Sequence, residues 1–168
     1  MPLAFTSPAV QNCLSHFTAT CDKVIEETLH ICRIPAPTFD EAERSGYVAD
    51  RMRGIGLDDV RIDTLGNVTG ILGEGAVRPT TLVAAHIDTV FPRHTPLQVQ
   101  RNGDRLYGPS IGDNSVAVAA MLSIAAAMRR LLPVLAGRVI FAASVGEEGL
   151  GNLCGIRRLL DTWQGQVD

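Results

Sequence analysis

Apolar positions near the start of the chain recur with the spacing of amphipathic helices. Ser7 and Pro8 form a pair that commonly opens a helix, and apolar residues then recur three and four positions apart, which predicts one helix from residue 8 to about residue 32. Thr38 and Glu41 have the spacing of a capping box and predict the start of a second helix. Glycines at positions 54 and 56 should mark the end of that helix.

Short strand patterns follow the two helices. Alternation over residues 60–64 predicts a strand, the turn signal Leu65-Gly66-Asn67 predicts a returning strand over residues 68–72, and Asn102-Gly103 predicts a hairpin. Residues 82–85 and 139–143 are wholly apolar, which is typical of strands covered on both faces.

The segment between these two apolar runs predicts a buried helix. It is rich in alanine and apolar nearly all round from Asn114 to Leu132, with Asn114 or Ser115 as its cap and Pro133 as a breaker. A last helix should carry its apolar residues at positions 153, 156, 159 and 160. Strands that alternate with helices predict an α/β layered sheet, and 168 residues suit one domain.

Imidazole and carboxylate side chains follow both apolar strands. His86 and Asp88 come directly after residues 82–85, and Glu147 and Glu148 follow residues 139–143. Functional sites of open α/β sheets lie at the carboxyl ends of the strands, so we expect these groups at one edge. Since residues two apart in an extended segment point the same way, one of His86 and Asp88 could bind a metal while the other orients it. A histidine near a strand end is more often a structural group, so this pattern alone leaves both interpretations open.

Two further features favour a metal site. Asp113 begins the predicted buried helix, where a first-turn acid stabilised by the helix dipole is the structural alternative, but the loop of Gly108, Pro109 and Gly112 is more elaborate than a cap requires. The adjacent glutamates would repel each other at a strand mouth unless a cation compensates them, and one could bind metal while the other acts on a water. An imidazole with several carboxylates suits zinc, so the set predicts a two-metal hydrolase.

Composition disfavours several other classes of protein. A net charge of −3 and a pI near 5.8 argue against a nucleic-acid partner. The near-apolar stretch 116–128 is short for a bilayer span, and Met1–Phe5 lack the positive charge of a secretory signal, so no membrane partner is expected.

Other candidate side chains are weaker. Four cysteines without a C-x-x-C pair predict reduced, mostly buried thiols in a cytoplasmic protein. Cys154 is a minor candidate metal ligand, and His94 is a minor candidate for contact with a substrate.

Three strings in a fixed order carry a family resemblance. Residues 85–92, 106–114 and 146–151 resemble the zinc-dependent exopeptidase and deacylase family that includes carboxypeptidase G, acetylornithine deacetylase, succinyl-diaminopimelate desuccinylase and peptidase T. Residues 56–68 also resemble the strand pair of that family, so the resemblance covers nearly the whole chain. It implies a three-layer α/β/α mixed sheet of the zinc-exopeptidase (phosphorylase/hydrolase-like) kind.

The resemblance also implies roles for individual residues. His86 would ligate one zinc, Asp113 would bridge two zincs, and Glu148 would ligate the second, with cobalt or manganese as alternative metals. Asp88 would orient His86, and Glu147 would be the general base and acid. The peptide between Asp113 and Asn114 would be cis.

Family members are longer than this chain, so the resemblance implies that residues 1–168 are the N-terminal part of a catalytic domain. A lid and dimerisation domain, a further acidic ligand and a late histidine ligand would be absent, which predicts weak metal binding and little activity for the chain alone. The first hypothesis is a peptidase T-like exopeptidase that acts on a small peptide, and the runner-up is a deacylase of N-acyl amino acids. A non-catalytic truncated protein that binds a partner is the alternative from another class, and a homo-oligomer remains open.

Overall fold

The computed structural model describes residues 7–73, 79–132 and 135–168. The expectations for Met1–Phe5 and for Pro133 therefore lie outside the described residues. The described elements, in chain order, are α1 (Pro8–Ala19), α2 (Cys21–Cys32), α3 (Ala42–Ile55), β1 (Asp58–Ile62), β2 (Val68–Leu72), β3 (Thr80–His86), β4 (Gln100–Asn102), β5 (Arg105–Tyr107), a π-helical turn (Ile111–Ser115), α4 (Val116–Leu131), β6 (Arg138–Ser144), a 3₁₀ turn (Gly149–Gly151) and α5 (Cys154–Thr162).

Four strands form a mixed sheet in the order β1-β2-β6-β3. The β1–β2 and β2–β6 pairs are antiparallel, whereas β3 and β6 run parallel with His86 opposite Ser144. The pairing extends one step further, since the Ile87 N–H donates to the Ser144 carbonyl at 2.8 Å. This register places the residues that follow β3 beside those that follow β6. Strands β4 and β5 form the separate hairpin that Asn102-Gly103 predicted.

Helices α3 and α4 pack against the sheet and against each other, α2 packs on α4, and α5 packs against β6. Helix α4 is the central element of this layer, and it buries Val118, Ala119, Met121, Leu122, Ala125 and Ala127. On the sheet, β6 is buried from Ile140 to Ser144, as its apolar run predicted. The mixed α/β fold expected from the sequence is therefore confirmed.

The first predicted helix is two helices, which divide at Thr20. The hydroxyl and the backbone N–H of Thr20 both donate to the His16 carbonyl, at 2.8 and 3.0 Å, and so end α1 before α2 begins. The predicted opening of α1 is confirmed, because the Val10 N–H donates to Ser7 Oγ at 3.3 Å. The predicted end of α3 is also confirmed, since Gly56 adopts a left-handed conformation with φ of 84°.

The predicted capping box at Thr38 and Glu41 is wrong. Glu41 itself occupies the N-cap position of α3, with no side-chain cap bond, and both side chains bond elsewhere. The Thr38 hydroxyl donates to Asp88, and the Glu41 carboxylate accepts from Phe39 and from Gly146. The spacing suggests a hydrogen-bonded pair of Thr38 and Glu41 within one helix turn. In the fold, both side chains bond instead to residues that are distant in sequence, Asp88 and Gly146.

Two burial expectations fail, for β3 and for the cysteines, and the apolar positions predicted for the last helix differ in burial. Strand β3 is not covered on both faces, because Thr81 and Ala84 are exposed on the outermost strand of the four-stranded sheet. In α5, Leu159 is buried but Leu160 is 55% exposed. All four cysteines are free thiols, as expected, but only Cys32 is fully buried.

The helical stretch Ile111–Leu131 has 21 residues and contains an 18-residue window with a mean hydropathy of 1.5, so its length and composition alone would suit a membrane span. Core helices of globular domains meet the same test, and 39% of that window is buried within the fold. The sequence predicted a stretch too short to span a bilayer, whereas the helical stretch in the structure is long enough. Its buried residues are those that α4 contributes to the core.

Candidate metal centre

Asp88 is fully buried and is held by four polar contacts. Its Oδ1 accepts the backbone N–H of Glu147 at 3.0 Å, and its Oδ2 accepts the N–H of Glu148 at 2.9 Å and the Thr38 hydroxyl at 3.0 Å. The fourth contact joins Oδ1 to His86 Nδ1 at 3.4 Å. Burial raises the pKa of Asp88, but His86 and these donors outweigh it, so the net effect lowers the pKa and keeps the carboxylate charged.

His86 lies at the end of β3 with its two ring nitrogens facing two acids. Nε2 lies 2.9 Å from Asp113 Oδ1. Nδ1 is buried and faces Asp88 without an aligned hydrogen bond. Burial opposes the charged form of the ring, but Asp88, Glu147 and Asp113 overcome this and raise the pKa of His86. A cation near Nε2 would replace the proton that these acids favour.

Asp113 lies in the π-helical turn that precedes α4, and the peptide bond between Asp113 and Asn114 is cis, as the resemblance implied. The Asn114 amide donates to the His86 carbonyl at 3.3 Å, which attaches this turn to the end of β3. Ser110 opens the turn in a left-handed conformation with φ of 57°, and its carbonyl accepts the Ser115 N–H at 2.9 Å. The Asp113 side chain is 75% exposed, so it is open to solvent on the side away from His86.

Glu147 and Glu148 complete the cluster from the end of β6. One potential ligand atom each from His86, Glu147 and Glu148 lies within 4.8 Å of the others, and all three residues are half-buried. Partial burial and the nearby carboxylates of Asp113 and Glu147 raise the pKa of Glu148. With Asp88 and Asp113, the two glutamates thus surround one imidazole with four carboxylates, and a cation would stabilise this acidic cluster.

The donor set, an imidazole nitrogen with carboxylate oxygens, is of the kind that binds divalent metal ions. His86 Nε2 and Asp113 Oδ1 lie at a hydrogen-bond distance of 2.9 Å. The structure brings together all five residues predicted for the site, namely His86, Asp88, Asp113, Glu147 and Glu148. Their positions do not separate a ligand role from a base role for the two glutamates, so the individual roles stay predictions.

The two minor candidates lie outside this cluster. The Cys154 thiol donates to the Gly146 carbonyl at 3.7 Å and is not part of the three-residue ligand group. His94 is exposed in a turn closed by the bond from the Thr95 N–H to the Pro92 carbonyl at 2.9 Å. The position of Cys154 does not support a ligand role, and the contact of His94 with a substrate stays a prediction.

Sequence reasoning missed two buried charged residues beneath the cluster, Glu41 and Arg44. Arg44 is fully buried and donates to the carbonyl of Ile87, between His86 and Asp88, at 2.8 Å. A signal was present in the sequence, because Arg44 stands four residues before Val48 and eight before Met52, on the inward face of α3. A charged residue in a buried stripe is a candidate for a structural or functional hydrogen-bond network.

Solved structures of peptidases share this fold. The chain aligns with a tripeptidase from Staphylococcus aureus at 22% identity and a TM-score of 0.67, covering 83% of this chain and 40% of that one. It aligns with aminopeptidase PepT from Bacillus cereus at 19% identity and a TM-score of 0.67, covering 81% and 39%. For human carnosine dipeptidase 1 the identity is 16% and the TM-score 0.74, with coverage of 94% and 38%. The chain therefore spans about two fifths of the length of these structures.

No curated protein matches the sequence. A family model does match, over residues 82–168, which are 87 of the 168 residues and include His86, Asp88, Asp113, Glu147 and Glu148. That model describes Peptidase family M20/M25/M40, and with more than half of its length matched the chain belongs to this family.

Proposed function

We propose that this chain is the N-terminal part of the catalytic domain of a di-zinc exopeptidase, which hydrolyses a peptide bond in a small peptide. One observation carries the proposal: ligand atoms of His86, Glu147 and Glu148 lie within 4.8 Å of one another, with Asp113 2.9 Å from the same imidazole. Membership of a peptidase family supports a hydrolytic role for this cluster.

Each residue of the cluster has a distinct task in this proposal. His86, Asp113 and Glu148 would hold two zinc ions, and Asp88 orients the imidazole from its buried side. Bound zinc would supply Lewis-acid activation of a water molecule and of the scissile carbonyl. Glu147 accepts the proton of the attacking water and delivers it to the leaving nitrogen. The fixed N–H of Glu147, bonded to Asp88, holds its backbone in place during this transfer.

A peptide is the favoured substrate class. The similar structures are named as a tripeptidase, an aminopeptidase and a dipeptidase, and these names support a short peptide rather than a protein as substrate. An N-acyl amino acid presents the same amide bond to the same cluster, so deacylase activity is the second outcome to measure. The third possible outcome is a protein that binds a partner and has no catalytic activity.

Metal analysis and hydrolysis assays on the intact gene product test the proposal. Di- and tripeptides are compared with N-acetyl and N-succinyl amino acids, in wild type and in Glu147→Gln. Glu147→Gln should abolish turnover but keep the bound metal, because it removes the base and spares the imidazole. The control Glu26→Gln changes an exposed glutamate of α2 and should be fully active. Full activity of Glu147→Gln would refute the mechanism, and a metal-free, inactive wild type would favour the non-catalytic alternative.

A further inference from the structure

Glu41 joins two segments that both contact the candidate metal centre. Its Oε1 accepts the Phe39 N–H at 3.0 Å and the Gly146 N–H at 3.1 Å. Phe39 follows Thr38, whose hydroxyl bonds to Asp88, and Gly146 precedes the two glutamates of the cluster. Glu41 is only 6% exposed, so these bonds form away from bulk water.

The result is a run of three backbone amides held by two carboxylates. The N–H of Gly146 donates to Glu41, and those of Glu147 and Glu148 donate to Asp88 at 3.0 and 2.9 Å. Hydrogen bonds at all three consecutive amides restrain the backbone of this turn. The directions of the Glu147 and Glu148 side chains follow from the backbone that these carboxylates hold.

Arg44 acts in the same way on the other side of the cluster. Its Nη1 donates to the Ile87 carbonyl at 2.8 Å, and its Nε donates to the Ile34 carbonyl at 3.1 Å. Nη2 also reaches Ser110 Oγ at 3.5 Å, in the loop that leads to Asp113. The guanidinium thus contacts the segment that follows α2, the segment between His86 and Asp88, and the loop before Asp113.

Neither side chain is explained by pairing with an opposite charge. Within the described residues, no ion pair shorter than 4.0 Å involves Glu41 or Arg44, although both are buried. Burying a charge without such a partner is costly unless hydrogen bonds compensate it. Both residues form their hydrogen bonds mainly with backbone groups of the segments that carry the cluster. Such bonds are what a residue that positions the cluster would make.

We propose that Glu41, at the N-cap of α3, and Arg44, in its first turn, are positioning residues of the candidate metal centre: Glu41 fixes the turn of Glu147 and Glu148, and Arg44 fixes Ile87 between His86 and Asp88. They contact neither metal nor substrate and act through the backbone. The effect on metal affinity rests on the proposed function, whereas the effect on the backbone amides does not.

Two conservative substitutions at Glu41 distinguish the effect of side-chain length from the effect of charge. Glu41→Asp keeps the charge but withdraws the carboxylate by about 1.5 Å, one C–C bond. Glu41→Gln keeps the reach and one acceptor oxygen but removes the charge. Arg44→Lys keeps a charge but loses the planar fork that reaches two carbonyls together. Arg51→Lys, on the exposed side of the same helix, is the matched control, and Glu43→Asp is the control for Glu41→Asp.

The measurements are residue-resolved amide hydrogen exchange by NMR, Co²⁺ affinity in competition with a chelator, and thermal unfolding of the full chain. Glu41→Asp should speed exchange at Gly146, Glu147 and Glu148 about tenfold, since a lost hydrogen bond exposes these amides. It should also weaken Co²⁺ binding about tenfold or more, as losing an outer partner of metal ligands does. Glu41→Gln should change both by less than about threefold, and Arg44→Lys should weaken Co²⁺ binding about tenfold. Both controls should match wild type.

Three outcomes would overturn the proposal. The first is uniform faster exchange in Glu41→Asp with no selective effect at residues 146–148, which would indicate a general structural role. The second is an equal or larger loss in Glu41→Gln, which would show that the charge matters and not the reach. The third is unchanged Co²⁺ affinity in both Glu41→Asp and Arg44→Lys while wild type binds Co²⁺. If wild type binds no Co²⁺ at all, the proposed function fails instead, and selective exchange at 146–148 still decides the role of Glu41.

Discussion

The carboxylate of Asp88 accepts the backbone N–H of Glu148 at 2.9 Å, although 60 positions separate the two residues along the chain. With the neighbouring bond from the Glu147 N–H, it uses both oxygens of one buried acid to hold the turn that presents two glutamates. Asp88 therefore does more than orient His86, because it also ties the end of β3 to the end of β6. The candidate metal centre depends on this connection between two parallel strands.

Asp88→Asn should destabilise the fold. Asparagine has one acceptor oxygen, so its NH₂ group must face one of the amides that now donate to Asp88. A buried donor without an acceptor costs about 1–3 kcal/mol, and the free energy of unfolding from urea titration should fall by that amount. Asp50→Asn, at a side chain that is 78% exposed, is the control and should stay within about 0.5 kcal/mol of wild type. Equal effects at the two positions would contradict this account.

Loss of the imidazole should weaken metal binding by the chain. His86→Ala deletes the nitrogen 2.9 Å from Asp113 Oδ1 and should weaken Co²⁺ or Zn²⁺ binding about tenfold or more, measured by competition with a chelator. His94→Ala removes an exposed histidine and should leave the affinity unchanged. The same loss in both variants would point to non-specific binding by surface histidines.

Glu41 should make stability depend on pH in a predictable direction. Burial raises the pKa of Glu41 above its ordinary value of 4.5, with a further push from the charge of Asp88, and the two backbone donors only partly oppose this. The folded state therefore binds this proton more tightly than the unfolded state, so the contribution of Glu41 to stability falls as pH rises from 4.5 through the raised pKa.

Glu41→Gln cannot titrate and isolates this effect. Its free energy of unfolding, relative to wild type, should increase across the same pH window and level off above it. Urea titrations at half-unit pH steps would measure the difference. A difference that stays flat or shrinks with rising pH would show that Glu41 is not destabilised by its burial.

Gly155 should tolerate no side chain. A Cβ atom there would meet the Val145 carbonyl oxygen and would lie 2.5 Å from Asn67 Oδ1, so Gly155→Ala should lower the free energy of unfolding by about 1–3 kcal/mol. Gly46→Ala is the matched control in α3, where nothing lies within 4 Å of the new Cβ. This control should raise stability by about 0.5–1 kcal/mol, since it removes a flexible residue from a helix interior. Similar values for both variants would rule out the close approach of α5 to β6.

The four thiols should differ in reactivity. Burial raises the pKa of Cys32, and its thiol donates to the Pro109 carbonyl at 2.8 Å, whereas Cys21 is exposed. Because the thiolate is the reactive form, iodoacetamide should label Cys21 first and Cys32 last in the folded protein. Peptide mass spectrometry after timed labelling measures the order, and unfolding in urea should make all four react. Early labelling of folded Cys32 would show that the loop at Pro109 opens readily.

Local patterns predicted most of the elements and the residues of the cluster. The pair Asn102-Gly103 selects a hairpin turn by its own backbone preference, and the apolar run of β6 identifies a buried strand by composition. His86 and Glu147 could be identified because His86 comes directly after one apolar run and Glu147 comes four residues after the other, and the site of an open α/β sheet lies at those ends. These features need only neighbouring residues, so the sequence carries them directly.

The tertiary structure decided what distant segments do to one another. The apolar patterns of β3 and β6 are similar, so the sequence predicts the same burial for both. In the sheet, β6 is paired on both sides, whereas β3 is an edge strand on which Ala84 is exposed. Thr38 and Glu41 have the spacing of a local cap, yet the Thr38 hydroxyl donates to Asp88 and the Glu41 carboxylate accepts from the Gly146 N–H. A buried polar atom bonds to whichever partner the packed chain brings to it, and that partner is fixed by the register between strands far apart in sequence. The sequence by itself thus determined which side chains carry the chemistry, and the packing of β3, β6 and α3 determined what holds them in place.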